Sequence, residues 1–533
     1  MMKTHWSIGA IVGGFTAVSC GKMDEGHMNT GGMSGMNTGG MSGMNMGGMS
    51  SMNMGGMGMN MGGMGMNMGG MGMNMGGMGM NMAGMGSMQI PAAAPMLSPP
   101  AWSGELSVPE VKDDNPDPHV VEVSLVAAPT EIEYLPGKKS SVWAYNGMVP
   151  GPTIRASVGD EVIVHFTNKL PEPTSIHWHG VRVPNEMDGA QNVRAPVPAG
   201  GTFDYRFRVP DAGNFWYHPH VRSDVQVHRG LYAALIVEDP AGPAIQAASD
   251  DVVILNDVQI APGTGALDDT EDMRAQMMGR EGNLAVVNGR RSNLELSVRA
   301  GEARRLRLVN AANARYFRLA LDQGVMTRLG GEELLEAPER VDEVLLAPGM
   351  RADVLVWLDQ ANSTATLRAL PYQRAMGAAP TESIDLVRFV ASSEPAETPP
   401  ALPARLQQIA VLDTPATFKE LRFSERVAMG EQQFLINGEA YPEVPILTSN
   451  LGTVEQWRIV NESDMDHPFH IHGFQFQVVG QREWKDTVNV PTKMDVTLRI
   501  DFKERPGAAG NWFYHCHILE HAERGMMGEV TVL

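Results

Sequence analysis

The sequence predicts an all-β protein of three β-sandwich domains, preceded by a disordered tail rich in methionine and glycine. From Trp102 onward, short runs alternate apolar and polar residues, and Gly, Pro, Asn or Asp bounds each run. Patterns of long amphipathic helices are scarce there, and many short strands with regular turns are typical of β-sandwiches. The clearest strand patterns cover residues 161–166, 204–209, 304–309 and 495–500.

Two proline-rich stretches divide this region into pieces of similar size. They lie at residues 239–243 and 392–400 and read as linkers. We therefore expect domains at 101–243, 244–392 and 393–533, each large enough to bury a core. Related segments begin at Val158, Arg299 and Gly452, which predicts that one fold is repeated three times.

The first 20 residues have the pattern of an export signal. Lys3 precedes an apolar stretch from Trp6 to Val18, and small residues follow it. Ala17 to Cys20 resembles a bacterial lipobox, so we expect an exported, periplasmic or cell-envelope protein with a lipid anchor on Cys20. Ordinary cleavage nearby is the alternative. No apolar run reaches 18 residues, the length that a membrane-spanning helix needs.

Residues 21–100 form the predicted disordered tail, and 24 of the 40 methionines lie between Met23 and Met88. A Gly-Gly-Met-Gly-Met-Asn-Met unit repeats every seven residues from Gly55 to Met82. Each interior glycine costs a helix about 1 kcal/mol, and the repeats have no aromatic or branched apolar residue for a core. Thioether sulfur prefers Cu(I) or Ag(I), so we expect additional Cu(I) to bind here. A flexible spacer is the alternative.

The net charge argues against a nucleic-acid-binding protein, and the cysteine content argues against a disulfide-scaffold protein. The formal net charge is −20, which argues against nucleic acid as a partner because phosphates would be repelled. The two cysteines, Cys20 and Cys516, do not suggest a disulfide scaffold.

Ten of the fifteen histidines fall in four tight clusters, two in the first predicted domain and two in the third. The middle domain has none. Five others stand alone and receive no role: His5, His27, His119, His165 and His228. The clustered residues are His177 and His179; His218 and His220; His467, His470 and His472; and His515, His517 and His521.

This spacing is typical of metal sites. Residues i and i+2 of a strand point the same way, so four such pairs can direct eight imidazoles at one centre that holds several ions. Cys516 lies between His515 and His517, and its sulfur should point to the opposite face. There His467, His521 and Met526 can join it, and two histidines, one cysteine and a weak methionine make a blue-copper site.

Four motifs in residues 115–533 resemble the copper-binding motifs of multicopper oxidases, nearest the bacterial laccase and copper-efflux oxidase branch. They are His-Trp-His-Gly (177–180), Trp-Tyr-His-Pro-His (216–220), His-Pro-Phe-His-Ile-His-Gly (467–473) and the run from His515 to Met527. The resemblance implies three cupredoxin-like Greek-key sandwiches, four copper ions, and coupling of substrate oxidation to the four-electron reduction of dioxygen to water.

It also implies a role for each matching residue. A type 1 copper, which takes electrons from substrate, would be held by His467, Cys516, His521 and Met526. A type 2 copper would be held by His177 and His470. Two type 3 coppers would be held by His179, His218 and His517, and by His220, His472 and His515.

Two residues are expected to act in catalysis. Cys516 links the type 1 copper to both flanking histidines, and Asp188 matches the acid that the family places near the cluster. The family's glutamate after the second type 1 histidine is replaced by Ala522. Glu520 or Glu523 could substitute, although neither should point the same way.

Three functions remain open from the sequence. The first is a copper-tolerance cuprous oxidase whose tail collects Cu(I). The second is a laccase-like phenol oxidase whose tail buffers copper, and the third is a non-catalytic copper-binding protein. We favour the first, since a phenol oxidase has no evident use for a methionine tail. Met273, Met277 and Met278 have helical spacing and are interpreted as packing residues.

Overall fold

The computed structural model describes residues 92–375, 382–428 and 431–533, with Glu431 described by its backbone alone. The predicted export signal, Cys20 and all methionines of the repeats lie outside these residues. Within them, no helix is both long enough and apolar enough to span a membrane. The all-β prediction is confirmed, because the strands form three pairs of sheets and the described helices have five or six residues each.

The first pair consists of two four-stranded sheets, ordered β3-β2-β5-β7 and β4-β9-β8-β6. Trp178 lies in the apolar core of this region and is fully buried. The elements are β1 (Trp102–Ser103), β2 (Val120–Leu135), β3 (Lys138–Tyr145), β4 (Ile154–Ser157), β5 (Glu161–Asn168), β6 (His177–His179), a 3-10 turn (Asn185–Met187), β7 (Thr202–Arg208), β8 (Gly213–His218), helix α1 (Ser223–His228) and β9 (Ala233–Glu238).

The middle pair has seven strands, ordered β12-β11-β10-β14-β19-β16-β17, and six strands, ordered β1-β13-β21-β20-β15-β18. Its elements are β10 (Ser249–Val258), helix α2 (Met273–Met278), β11 (Leu284–Val287), β12 (Arg290–Arg291), β13 (Leu294–Val298), β14 (Arg304–Asn310), β15 (Phe317–Leu321), β16 (Val325–Gly330), β17 (Leu334–Arg340), β18 (Glu343–Leu346), β19 (Arg351–Trp357), β20 (Thr364–Leu370) and β21 (Ile384–Ala391).

The third pair has two five-stranded sheets, ordered β23-β22-β25-β29-β27 and β24-β31-β30-β26-β28. Cys516 and Met526 lie in the core of this region with Trp457 and Trp512. Its elements are β22 (Phe418–Ala428), β23 (Glu431–Ile436), β24 (Leu447–Ser449), β25 (Thr453–Asn461), β26 (His467–Ile471), β27 (Gln475–Val478), β28 (Thr487–Val490), β29 (Asp495–Phe502), β30 (Gly510–Cys516), helix α3 (Leu519–Glu523) and β31 (Met527–Val532).

The three regions repeat one strand arrangement, as the sequence predicts. In each, a middle strand (β5, β14 or β25) pairs in parallel with the preceding long strand and antiparallel with a later one. A glycine with positive φ, at Gly159, Gly301 or Gly452, forms the turn before each middle strand. Glycine adopts that conformation without a steric penalty, so the shared glycine marks the repeat. The exact domain boundaries stay a prediction.

The four predicted strand patterns lie in β5, β7, β14 and β29. The alternating pattern predicts these strands correctly because every second residue of a strand faces the core. In β25, buried residues alternate with less buried ones along nearly the whole strand. Both predicted linkers lie between strands.

Candidate metal centre

The four histidine clusters lie at strand ends of the first and third regions. His177 and His179 lie within β6, as the sequence predicts for every pair. The other pairs straddle a boundary: His220, His472 and His517 each follow the last residue of a strand by one or two positions. The expectation that each pair lies on one strand is therefore wrong for three clusters, because β8, β26 and β30 end where the chain reaches the centre.

The register of β26 with β30 separates two sites. Phe469 lies opposite Cys516, and His470 lies opposite His515. Directly opposed residues share a face of the sheet, so Cys516 and His515 project to different sides. The predicted division of the ligands between the two faces is consistent with this register.

Eight histidines surround one buried centre, and none is more than 5% exposed. The Nε2 atom of His515 lies 3.2 Å from that of His472 and 3.4 Å from that of His220. Donor atoms within 4.8 Å of one another form three all-histidine groups here: His220, His472 and His515; His177, His470 and His472; and His177, His179 and His218.

Hydrogen bonds hold the outward nitrogens of these rings. Nδ1 of His472 lies 2.8 Å from a carboxylate oxygen of Asp188, and Nδ1 of His177 lies 3.0 Å from the Asp188 carbonyl. Nδ1 of His470 lies 2.9 Å from the Asp486 carbonyl. An N–H donated outward leaves a bare lone pair on the other nitrogen, which is the form that binds metal.

Several inward nitrogens, by contrast, lack partners among the described residues. Buried ring nitrogens without a hydrogen bond occur in five histidines of the cluster, namely Nε2 of His177, His218 and His470, Nδ1 of His179, and both nitrogens of His517. Leaving a buried polar atom unpaired costs about 1–3 kcal/mol, so this many require a common ligand. Imidazole nitrogen suits copper, and the residues therefore fit a multi-copper centre.

Burial lowers the pKa of seven of these histidines and so favours their neutral form. Burial lowers the pKa of His515 to about 4. For His179, His218, His220, His470, His472 and His517, burial first and neighbouring histidines next lower the pKa well below its usual range. Metal binding requires deprotonated ligands, so the protein presents its imidazoles ready to bind.

A second, smaller site lies on the other face of β30. Nδ1 of His467 lies 3.4 Å from the Cys516 sulfur and 3.3 Å from Nδ1 of His521, and the sulfur lies 3.9 Å from that Nδ1. A triangle of this size places each donor about 2 Å from a central ion, as metal–ligand bonds to nitrogen and sulfur require. Met526 is completely buried in the same core.

The outer faces of this triangle are covered. Nε2 of His467 lies 2.8 Å from the Ser463 hydroxyl, and the ring of Phe434 stacks on His521 at 3.8 Å between centroids. Neither histidine is exposed to solvent.

Helix α2 of the middle region packs beside helix α3, which carries His521. The ion pair between Glu271 and Arg524 measures 2.6 Å, and Gly279 approaches Ile518 so closely that a Cβ there would clash at 2.5 Å. Burial lowers the pKa of His521, and the backbone of Met277 acts in the opposite direction. The methionines interpreted as packing residues therefore lie beside the smaller site.

Sequence reasoning missed Asp486, which links the large centre to the middle region. Its carboxylate lies 3.0 Å from Nε2 of His179 and 2.8 Å from Nη1 of Arg351. Arg351 is fully buried and also lies 3.6 Å from Glu332. Asp486 sits just before a short strand with no histidine near it in sequence, so no local spacing identifies it.

The position of Ala522 provides no acid at the centre. Glu520 accepts a hydrogen bond of 2.8 Å from Asn313, and Glu523 accepts two of 2.7 Å from Ser223. Both carboxylates thus bind neighbouring regions of the protein, and among the described residues neither is hydrogen-bonded to a histidine of the cluster. Asp188, which is fully buried, is the acid bonded to the cluster histidines from the first region.

Cupredoxin-like sandwiches with a buried histidine-cysteine site beside a buried histidine cluster define a copper oxidoreductase. Multicopper oxidase family models match residues 127–242, 251–383 and 399–533. Multicopper oxidase MmcO of Mycobacterium tuberculosis is 31% identical over 484 residues, covering 82% of this chain and 92% of that protein. The chain therefore belongs to the multicopper oxidase family, whose members use copper, dioxygen and a reducing substrate.

Solved structures of bacterial relatives have the same fold. A Campylobacter jejuni multicopper oxidase, described as a metallo-oxidase, matches with a TM-score of 0.74 at 30% identity, covering 83% of this chain and 98% of that one. A laccase from Pediococcus acidilactici matches with a TM-score of 0.72 at 30% identity, covering 83% of this chain and 96% of that one.

Proposed function

We propose that this chain is an exported cuprous oxidase that holds four copper ions and serves copper tolerance. The type 1 ion binds His467, Cys516 and His521, with Met526 as the weak fourth ligand. The remaining ligands divide into a type 2 pair, His177 and His470, and two type 3 sets, His179, His218 and His517, and His220, His472 and His515. The unpaired inward nitrogens support a shared metal centre, and the close donor atoms of His220, His472 and His515 support that set.

Copper bound at these two sites supplies one-electron transfer and the four-electron reduction of dioxygen to water. The chain itself supplies the route between them, because Cys516 is bonded through the backbone to His515 and His517. Asp188 acts by holding Nδ1 of His472, which fixes the direction of that ring.

The observation that carries the choice of Cu(I) is the burial of His521. This imidazole, which lies in α3, is not exposed at all, so a phenol ring has no direct contact with it. Helix α2 beside it contains Met273, which is 48% exposed, and the partly buried Met277. Thioether sulfur is a soft ligand that prefers Cu(I) to hard cations, so these methionines suit a cuprous substrate.

Two further features support this assignment. The methionine repeats of residues 23–88 provide many more soft ligands, which we infer collect Cu(I) outside the cell membrane, with Cys20 as a lipid anchor. One solved relative is described as a metallo-oxidase. Similarity to a laccase favours phenol oxidation as the second candidate.

Oxygen uptake by the copper-loaded chain, with Cu(I) and a substituted phenol measured in parallel, tests the proposal. Met273→Leu with Met277→Leu should lower Cu(I) turnover about tenfold while leaving phenol turnover unchanged, since leucine preserves volume and removes sulfur. Met494→Leu is the matched control, because Met494 is 59% exposed and lies in a turn outside α2. It should change neither rate.

Deletion of residues 23–88 tests whether the methionine repeats contribute to turnover by the three sandwich regions. Selective loss of Cu(I) turnover supports delivery by the tail. If neither the substitutions nor the deletion changes the rate of Cu(I) or phenol oxidation, the laccase candidate is favoured instead. A copper-loaded chain that takes up no oxygen would indicate a storage protein.

A further inference from the structure

Tyr372 is a half-buried residue of the middle region that packs against the core of the third. It follows the end of β20 by two positions, and the core that it touches contains Cys516. Its hydroxyl donates a hydrogen bond of 2.6 Å to the carboxylate of Asp466. Asp466 directly precedes His467, a proposed type 1 ligand. One hydrogen bond and a short run of covalent bonds therefore join a surface tyrosine to that ligand.

The acceptor of this hydrogen bond is held in place from several sides. Asp466 is only 3% exposed. The oxygen that Tyr372 contacts also accepts 2.9 Å from the Asn489 amide, and the other oxygen accepts 2.8 Å from the backbone of Thr492. The backbone N–H of Asp466 donates 2.6 Å to the carbonyl of Arg374. Hydrogen bonds to a carboxylate are strong, so this network fixes Tyr372 relative to the segment of His467.

A second tyrosine of the middle region lies against the first. The rings of Tyr316 and Tyr372 stack with their centroids 5.2 Å apart and their planes 13° apart, which is a favourable arrangement for two aromatic rings. Tyr316 is buried in the same core as Cys516, and its hydroxyl donates 2.9 Å to the side-chain oxygen of Asn489. The stacked pair thus extends from the half-buried ring of Tyr372 into the core around the proposed type 1 site.

This arrangement suits the transfer of electrons from the surface. Electrons tunnel more readily through covalent bonds, hydrogen bonds and stacked rings than across open gaps. Neither His467 nor His521 has any exposed surface, so an aromatic reductant cannot touch the proposed histidine ligands directly. The ring of a phenol can instead pack against Tyr372, since aromatic rings attract one another. From there the hydrogen bond to Asp466 leads to His467.

We propose that Tyr372 is a second electron-entry site, at which phenolic reductants are oxidised without reaching the type 1 copper. The phenol loses one electron, which passes by way of Tyr372 and the Asp466–His467 segment and reduces type 1 Cu(II) to Cu(I). The proton of the phenol goes to solvent, the product is a phenoxyl radical, and Tyr372 itself is unchanged. This inference rests on the proposed type 1 site and goes beyond the proposed function, because it gives phenols an entry separate from the methionines of α2.

The test follows the blue absorbance of the copper-loaded full chain after rapid mixing, without oxygen, with a substituted phenol or with Cu(I). Tyr372→Leu should slow bleaching by the phenol about tenfold, because the aromatic contact is lost. Tyr372→Phe keeps the ring and removes the hydroxyl, so the half-saturating phenol concentration should stay the same while the maximal bleaching rate falls. Bleaching by Cu(I) should be unchanged in both variants.

Binding is measured separately from electron transfer, by the broadening of the phenol's NMR signals in the presence of the metal-free chain. Tyr372→Leu should weaken binding, whereas Tyr372→Phe should not. Trp357→Leu is the matched control, since Trp357 is another half-buried aromatic residue of the middle region that donates to a carboxylate, that of Asp359. It should change neither binding nor bleaching, because Asp359 is not next to a proposed ligand.

Several results would overturn this proposal. Unchanged bleaching by the phenol in Tyr372→Leu, or a full maximal rate in Tyr372→Phe, would exclude the route through the hydroxyl. Equal slowing with phenol and Cu(I), or an altered blue spectrum, would show that Tyr372 only supports the structure of the type 1 site. The proposed function fails differently: if Met273→Leu with Met277→Leu leaves Cu(I) oxidation unchanged while Tyr372→Leu slows phenol oxidation, the cuprous entry is wrong and the tyrosine entry is supported.

Discussion

The two metal sites of this protein are built in different ways. All proposed ligands of the smaller site come from the third region, within β26, β30 and the helix and turn that follow. The large centre takes four histidines from the first region and four from the third, and Asp486 connects it through Arg351 to the middle region. The smaller site is therefore a property of one sandwich, whereas the large centre exists only when the regions pack together.

Replacing Cys516 should have the largest effect, because its sulfur is the proposed link for electron transfer between the two sites. We expect Cys516→Ser to abolish the blue absorbance and all oxidase activity, since a hydroxyl is a poor substitute for a thiolate ligand. Copper analysis should show loss of one ion, with the histidine cluster retaining its own. A variant that remains blue would contradict the assignment of the smaller site.

Breaking the buried ion pair should damage the large centre more than the small one. Arg351→Met leaves the buried Asp486 without its cation and Glu332 with Lys485 alone, which should cost about 3–5 kcal/mol of unfolding free energy. Chemical denaturation of the metal-free chain measures this. Arg318→Met, which breaks the exposed pair with Glu343, is the control and should have no measurable effect. Equal destabilisation by both would contradict the importance of the buried pair that connects the large centre to the middle region.

Asp188 should matter to the large centre alone. Asp188→Asn removes the carboxylate that holds His472, and loss of such a partner typically costs 10–100-fold in activity or metal affinity. We expect oxygen turnover to fall by that factor while the blue absorbance is preserved. Asp204→Asn provides the control, since Asp204 bonds only the isolated, exposed His165. A change in the blue absorbance with Asp188→Asn would indicate that the sites are not independent.

Acid should destabilise the metal-free protein. His467 and His515 have pKa values of about 3 and about 4 in the folded chain, below the ordinary 6.5. The unfolded chain therefore binds protons first as pH falls below 6.5, and stability declines until the folded values are reached. Melting temperatures between pH 7 and pH 4 measure this, with copper-loaded protein as the control. A metal-free chain whose stability is independent of pH would contradict the buried, neutral state.

The smallest effect is expected at Ser463. Ser463→Ala removes the hydrogen bond to Nε2 of His467, which should cost about 1 kcal/mol and leave the site blue. Thermal unfolding and the absorbance spectrum provide the measurements. Loss of the blue absorbance would show that this hydroxyl, and not the sandwich core, orients His467.

Local spacing identified residues that the structure brings together, because the spacing of donors along a strand depends on neighbours in the chain. His515 and Cys516 end β30 and His517 follows directly, so neighbours in the chain alone place the sulfur between two histidines. Asp486 and Ser463 could not be found in the same way, since the partner that gives each one its role is recognised only from contacts between segments. The Met273–Met278 helix was identified by its spacing, but its place beside His521 was not.

The sequence alone determined the strand pattern, the threefold repeat and the spacing of the residues proposed to bind copper, because alternation and ligand spacing act over a few residues. Only the tertiary structure decided that His521 is closed to solvent, that α2 packs beside the helix that carries it, and that Arg351 links the large centre to the middle region. Burial and electrostatic fields depend on residues that are distant in the chain and close in space, and no local pattern encodes those distances.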